Sequence, residues 1–170
     1  MAVDKEEEYL YEVLEEMLDL FPASLDVASD CPEAVPEIVE TLTIVAICTN
    51  MLAVRDFGGR VSPARSNSLV EQVVAAAFQT YAGEDPHPHP FQKAAMLLRG
   101  INQGHPFGDG NKRTAFMLAM YYLERVGYPA PESLPRKEIV DFSLEVSAGR
   151  IRDIETIAHK LACFWDRPYP

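Results

Sequence analysis

The stretch from Ala115 to Val126 constrains the fold more than any other part of the chain. Ala115, Phe116, Met117, Leu118, Ala119, Met120, Tyr121, Tyr122, Leu123 and Val126 leave a helix almost no polar face. A helix that is apolar all round is one surrounded by others. Gly127 supplies the stop that follows it. With no internal repeat, the chain reads as all-α, a bundle built around this central helix.

Amphipathic helices are expected around it. Residues 7–21 repeat Leu10, Val13, Leu14, Met17, Leu18 and Phe21 at three and four residues, with glutamates between, until Pro22. Turn formers from 23 to 35 predict a long loop. Pro36 suits a helix start, and Ile38, Val39, Leu42, Val45, Ala46, Met51 and Leu52 continue a helix, with a strand as the competing reading because of Thr41, Thr43, Ile44 and Thr49. Gly58-Gly59 in residues 54–61 suits either a tight β-hairpin or a flexible loop. Ser68 and Glu71 read as a capping box opening a third helix, with Leu69, Val70, Val73, Val74, Ala77, Phe78 and Tyr81 inward.

A proline-punctuated loop follows at 83–90. Its Asp85-Pro86-His87-Pro88-His89 contains metal-ligand types, but the prolines hold it extended and no second cluster completes a site, so an exposed loop is the stronger reading. Residues 91–103 form a fourth helix with Ala94, Ala95, Leu97, Leu98 and Ile101 inward, ended by Gly104. Two more close the chain: 136–147 with Ile139, Val140 and Leu144 inward, and 151–165 with Ile154, Ile157, Ala158, Leu161 and Trp165 inward. His159 beside that last stripe reads as a structural or surface group. The expected organisation is an N-terminal helix and loop at 1–35, a domain at 36–166, and a frayed tail at 167–170.

The central helix is preceded by His105-Pro106-Phe107-Gly108-Asp109-Gly110-Asn111-Lys112-Arg113. Gly108 and Gly110 allow a sharp turn and close approach of backbone N–H donors to an oxyanion. Asn111, Lys112 and Arg113 bring an amide, a point charge and a guanidinium fork to a helix N-terminus, where anions are already favoured. Asp109 suits Mg²⁺, which is commonly held by one or two carboxylates plus substrate oxygens. His105 is the group able to act as a general base near neutral pH. Base, metal ligand and anion cradle together point to attack of a hydroxyl on a nucleotide phosphate. The competing reading is a purely structural loop in which His105 and Asn111 bond backbone.

Composition narrows the partners. The chain's 170 residues suffice for one domain with a real core, and its formal charge of -11 argues against a general nucleic-acid binder. A local cluster of cations can still hold a nucleotide. The acidic stretches 4–8 and 12–19 read as a solvated helix face. Cys31, Cys48 and Cys163 are odd in number and form no CxxC pair, so a reduced chain is expected, with Cys48 and Cys163 as small core residues. The N-terminus has no apolar signal core and no uncharged apolar stretch of spanning length is evident, so the expectation is a cytoplasmic protein without a membrane partner.

The loop resembles the Fic/Doc signature throughout His105–Arg113. A weaker likeness extends over roughly 38–165, leaving the first 35 residues outside it. The resemblance implies an all-α fold with a β-hairpin flap that pairs with the target peptide, for which 54–61 has the right place in chain order. It also implies binding of ATP and Mg²⁺ and transfer of part of the nucleotide to a protein hydroxyl. Carried over by position, His105 would be the base and Asp109 the Mg²⁺ ligand. Asn111 and the backbone of 108–110 would form an anion hole, Arg113 would hold phosphates, and Phe107 would anchor the loop in the core.

Two positions bear on the subclass. AMP-transferring Fic enzymes usually carry glycine where this chain has Lys112, and a second arginine where it has Phe116. Lysine without the second arginine is the Doc-like pattern. That pattern implies transfer of the γ-phosphate of ATP to a protein hydroxyl, with elongation factor Tu as the target of Doc-type toxins and a separate antitoxin as partner. Gly110 departs from it, since Doc toxins tend to carry alanine there. The inhibitory Ser/Thr-x-x-x-Glu-Gly/Asn pattern of many Fic proteins has only near misses, at 29–34 and 80–85. AMP transfer, and a nucleotide- or partner-binding module without catalysis, are the alternatives. The acidic first helix would either fold over the motif's cations or serve packing or dimerisation.

Overall fold

The structure is a computed structural model that describes residues 5–20, 32–56 and 67–170. Its helices are α1 (Lys5–Leu20), α2 (Val35–Asp56), α3 (Asn67–Ala75), α4 (Pro90–Gly104), α5 (Asn111–Arg125), α6 (Arg136–Ser147) and α7 (Ile154–Phe164). Short 3-10 turns precede α2 (Pro32–Ala34) and follow α3 (Ala76–Phe78). The β-pairing among the described residues is a single bridge between Tyr81 and Glu84. The fold is all-α.

Helix α5 is the centre of the bundle. Every residue from Thr114 to Leu123 is buried, and α1, α2, α4 and α6 pack directly on it while α7 packs on α4. Each large apolar side chain enclosed this way contributes roughly 1.5–3 kcal/mol, which no exposed helix could match. The helix ends as its glycine requires. Gly127 takes φ +89°, Tyr128 N–H donates to the Leu123 carbonyl at 2.8 Å, and Gly127 N–H donates to the Glu124 carbonyl at 3.2 Å. These two bonds satisfy carbonyls that the helix end would otherwise orphan.

Helix α4 approaches α3 closely because of two small residues one turn apart. A Cβ at Gly100 would lie 2.6 Å from Val73 Cγ1, and one at Gly104 3.3 Å from Val73 Cγ2. The proline-punctuated loop ahead of α4 is its cap. His89 Nδ1 accepts the Phe91 N–H at 3.2 Å, and Gln92 Oε1 accepts the His89 N–H at 2.9 Å, a reciprocal box that satisfies two donors. Asp85 accepts the His87 N–H at 2.8 Å and pairs with the largely buried Lys93, which also lies over the Phe78 ring. Asp85 and His89 therefore have local structural roles. Among the described residues no group of three or more His, Cys, Asp or Glu gathers to hold a metal.

The acidic first helix is a packing helix. Val13, Leu14 and Met17 are buried, Arg125 Nη2 donates to the Leu18 carbonyl at 2.7 Å, and the Tyr11 hydroxyl donates to the Pro131 carbonyl. The Pro32–Asp56 unit is apolar and long enough to cross a membrane by composition alone, and 56% of its apolar window is buried. Its apolarity is explained by that core face, with Leu42, Val45, Ala46 and Ala53 fully enclosed.

Several expectations need correction. Residues 32–35 are not loop: the 3-10 turn leads into α2, with Pro36 in its first turn. The competition over α2 resolves as helix, and Val54, Arg55 and Asp56 are its last residues; the remainder of the expected hairpin, 57–61, lies outside the described residues, as do Phe21 and the loop 23–31. Ser68 lies inside α3, which begins at Asn67, so Ser68 and Glu71 are not its capping box. Tyr81 is 65% exposed, beyond the helical stripe. On α6 the inward set is Ile139, Phe142, Ser143 and Val146, while Val140 and Leu144 are exposed. The Phe142 ring packs edge-on against Phe164 with centroids 5.6 Å apart, and that larger contact decides which face turns in.

Cys48 is half-buried and packs against the core, whereas Cys163 is exposed, with its Sγ 3.7 Å from His159 Nδ1 on the outer face of α7, and is not a core residue. The tail is not frayed at Tyr169. That ring packs edge-on against His89 at 5.0 Å, and its hydroxyl donates to Glu155. Residues 80–85 form the bridged turn, not a helix, so that near miss to the inhibitory pattern has no helical context.

Candidate active site

Helix α4 delivers His105. The expected stop was Gly104, but α4 runs through Gly104 and His105 itself takes the left-handed conformation, at φ 44° and ψ 53°. Its N–H donates to the Ile101 carbonyl at 3.2 Å. A non-glycine residue in this region stores strain that surrounding structure must sustain, and such strain clusters at functional sites. The His105 side chain is exposed.

The loop is then pinned to the core. Pro106 and Phe107 are buried, so the aromatic anchor read from the sequence is in place. Asn111 holds the turn closed from both sides: its Oδ1 accepts the Phe107 N–H at 3.0 Å and its Nδ2 donates to the Phe107 carbonyl at 2.9 Å. The Asn111 side chain is thus a staple for the loop, with both its oxygen and its nitrogen engaged by the Phe107 backbone.

Of the two loop glycines, Gly110 alone takes a positive φ, at +74°, and it is the N-cap of α5 with no side-chain cap. A Cβ there would meet Asn50 Nδ2 and Val54 Cγ2, each at 3.0 Å. Asp109 Oδ1 accepts the Gly110 N–H at 2.6 Å, which orients the carboxylate and leaves its second oxygen for a hard cation. That donor set fits Mg²⁺, which takes one carboxylate from the protein and completes its shell with substrate oxygens and water. Lys112 and Arg113 are exposed on the first turn of α5, where backbone N–H groups have no intrahelical acceptor. A helix N-terminus without a side-chain cap and with two cations on it is an arrangement that favours anions.

Sequence reasoning missed two residues of this site. Asn50, on α2 and 4% exposed, donates through Nδ2 to the Asp109 carbonyl at 2.8 Å and to Thr114 Oγ1 at 3.1 Å. Thr114 is fully buried. The available signal was a lone amide on the buried stripe of α2 that also carries Leu42, Ala46, Ala53 and Val54. At the rim, Tyr9 of α1 lies beside Asp56 at the end of α2. Burial first, and then the Asp56 carboxylate, push the Tyr9 hydroxyl above its ordinary range, while Arg55 and Arg113 act in the opposite sense. Hydrogen bonding from Arg55 holds Asp56 below its ordinary range.

An exposed histidine, an oriented carboxylate and a cationic helix N-terminus without a side-chain cap meet where the loop enters the buried central helix. The family described as Fic/DOC matches residues 41–123, which span α2 to α5 and the whole loop. The Toxin Doc of Mycolicibacterium smegmatis is 35% identical over 108 residues, covering 64% of this chain and 82% of that protein. The chain belongs to the Fic/DOC family and is Doc-like within it. This is a family of transferases.

Proposed function

We propose that this protein is a Doc-like toxin that transfers the γ-phosphate of ATP to a serine or threonine hydroxyl of a target protein, with elongation factor Tu as the target and a separate antitoxin as its partner. The observation that carries the reading is Phe116. AMP-transferring Fic enzymes usually carry a second arginine at this position, and here the side chain is a phenylalanine buried against Trp165, so of that pair this chain has Arg113 alone. Lys112 in the loop is the other half of the Doc-like pattern.

In this reading His105 takes the proton from the target hydroxyl, and that oxygen forms a bond to the γ-phosphorus. The bond from phosphorus to the β,γ-bridging oxygen breaks and ADP leaves. Arg113 and the N–H groups of the α5 terminus hold the phosphates. Asp109 would hold a Mg²⁺ ion, which neutralises charge on the phosphate oxygens when bound. Most of the catalysis is then positioning and charge stabilisation.

Gly110 favours a second reading. Doc toxins tend to carry alanine here, and a Cβ would meet Asn50 Nδ2 and Val54 Cγ2 at 3.0 Å each on a backbone with φ +74°, so the loop is built around glycine and departs from the Doc pattern at this position. Incubation with cell extract and ATP labelled at either the α or the γ position separates the two. Label from γ only, on a protein of the size of elongation factor Tu, is expected. Label retained only from α would replace this reading with AMP transfer.

A further inference from the structure

We propose that Asn50 is a positioning residue of the transfer site, acting from α2 on the backbone that carries the metal ligand. This rests on the transferase reading above for its consequence, but not for its geometry. The Asn50 amide bridges the two sides of the loop's exit. One bond goes to the carbonyl of Asp109, and the other to the hydroxyl of Thr114 on the first turn of α5. Thr114 N–H in turn donates to the Gly110 carbonyl at 2.9 Å. A ring of hydrogen bonds therefore encloses the Asp109–Gly110 peptide, and it is closed by an amide from a different helix.

Rotation of that peptide is what would spoil the site. The Asp109 carbonyl and the Gly110 N–H belong to one planar unit, so tilting one tilts the other. The Gly110 N–H is the donor that orients the Asp109 carboxylate. Asn50 thus fixes the carboxylate at one remove, and Val54 packs close beside Gly110 on the same side. Asn50 is 4% exposed, so it acts through the loop backbone. Its buried position, with the bond to Thr114 shielded from water and the bond to Asp109 partly so, makes the constraint stiffer than a surface bond would be. Outer-sphere residues of this kind alter metal affinity or turnover by about 10–100-fold when lost.

The test compares the full chain with Asn50→Leu, which keeps the branching but has no polar atoms, and Asn50→Asp, which replaces the donor with a charged acceptor. The measurements are thermal unfolding, amide hydrogen exchange over residues 105–113, and the Mg²⁺ dependence of transfer from γ-labelled ATP. The expected result is cooperative unfolding in both variants and faster exchange over 105–113 with α6 and α7 unchanged. Transfer should fall about 10–100-fold, with a higher Mg²⁺ requirement. Folded variants with wild-type exchange and a wild-type Mg²⁺ profile would overturn the proposal. If the wild-type chain transfers nothing, the phosphotransfer reading fails, while the exchange comparison still decides the role of Asn50. If neither variant folds, the wild-type protein decides alone: slow solvent exchange of the Asn50 side-chain amide protons supports the clamp, and fast exchange overturns it.

Discussion

The ring of Phe116 lies 6.2 Å from the ring of Trp165, tilted at 52°, with both side chains enclosed. Trp165 is held in turn by its Nε1–H, which donates to the Tyr128 carbonyl at 3.2 Å. The position three residues after Arg113 is therefore part of the core, where a guanidinium would be cut off from water. Phe116→Arg is expected to destabilise the fold by on the order of 3–5 kcal/mol without conferring AMP transfer. Denaturant unfolding checks this; a variant with a wild-type midpoint would mean that the position can open to solvent.

In the proposed reaction His105 is the base, and its backbone is unfavourable for a non-glycine residue. His105→Ala should lower transfer by about 10²–10⁴-fold, the usual worth of a general base, while ATP affinity survives. Alanine inherits the left-handed φ of 44°, whereas glycine adopts it readily. His105→Gly should accordingly be more stable than His105→Ala by about 1 kcal/mol, measured by thermal or denaturant unfolding. Retained transfer in His105→Ala would remove the base assignment.

Protonation of His89 should weaken the start of α4. Its Nδ1 accepts the Phe91 N–H, which only a neutral ring can do. Burial holds the imidazole below its ordinary value of 6.5, although Glu155 acts in the opposite direction. The unfolded chain thus takes up this proton at higher pH than the folded one. The stabilisation is complete above the unfolded value and is lost as pH falls through it toward the folded value. His89→Ser retains a capping oxygen and does not titrate there. Melting temperature across this window should fall less steeply with acid in the variant; equal slopes would show that His89 does not contribute.

Asn102 is fully buried on α4, and neither its Oδ1 nor its Nδ2 has a protein partner among the described residues. An unmatched buried amide costs about 1–3 kcal/mol. Asn102→Leu is expected to raise the melting temperature by roughly 2–4 °C for each kcal/mol recovered. An unchanged or lower melting temperature would place the amide in a stabilising network.

The legible parts of this chain were those where one physical signal dominates. The apolar run after the loop could only be enclosed, and α5 is enclosed from Thr114 to Leu123. The stripes of α4 and α7 were legible because a single helical period fits them. On α6 two apolar sets share the same period, and periodicity cannot choose between Val140 with Leu144 and Phe142 with Val146; packing against Phe164 does. The site's residue types and order were readable as a phosphate loop. Which groups hold the loop and which face the ligand was not, because Asn111 and Asn50 are both amides and only the tertiary contacts show what each one bonds.

The unbroken enclosure of α5 has a further consequence. Its first turn carries the loop's cations, and the ten residues that follow have no face on which substitution is free. Chemistry at the tip is thus tied to the most change-resistant element of the molecule. Divergence in what such a protein acts on would accumulate on the outer helices and their connections, and the reaction itself would change slowly.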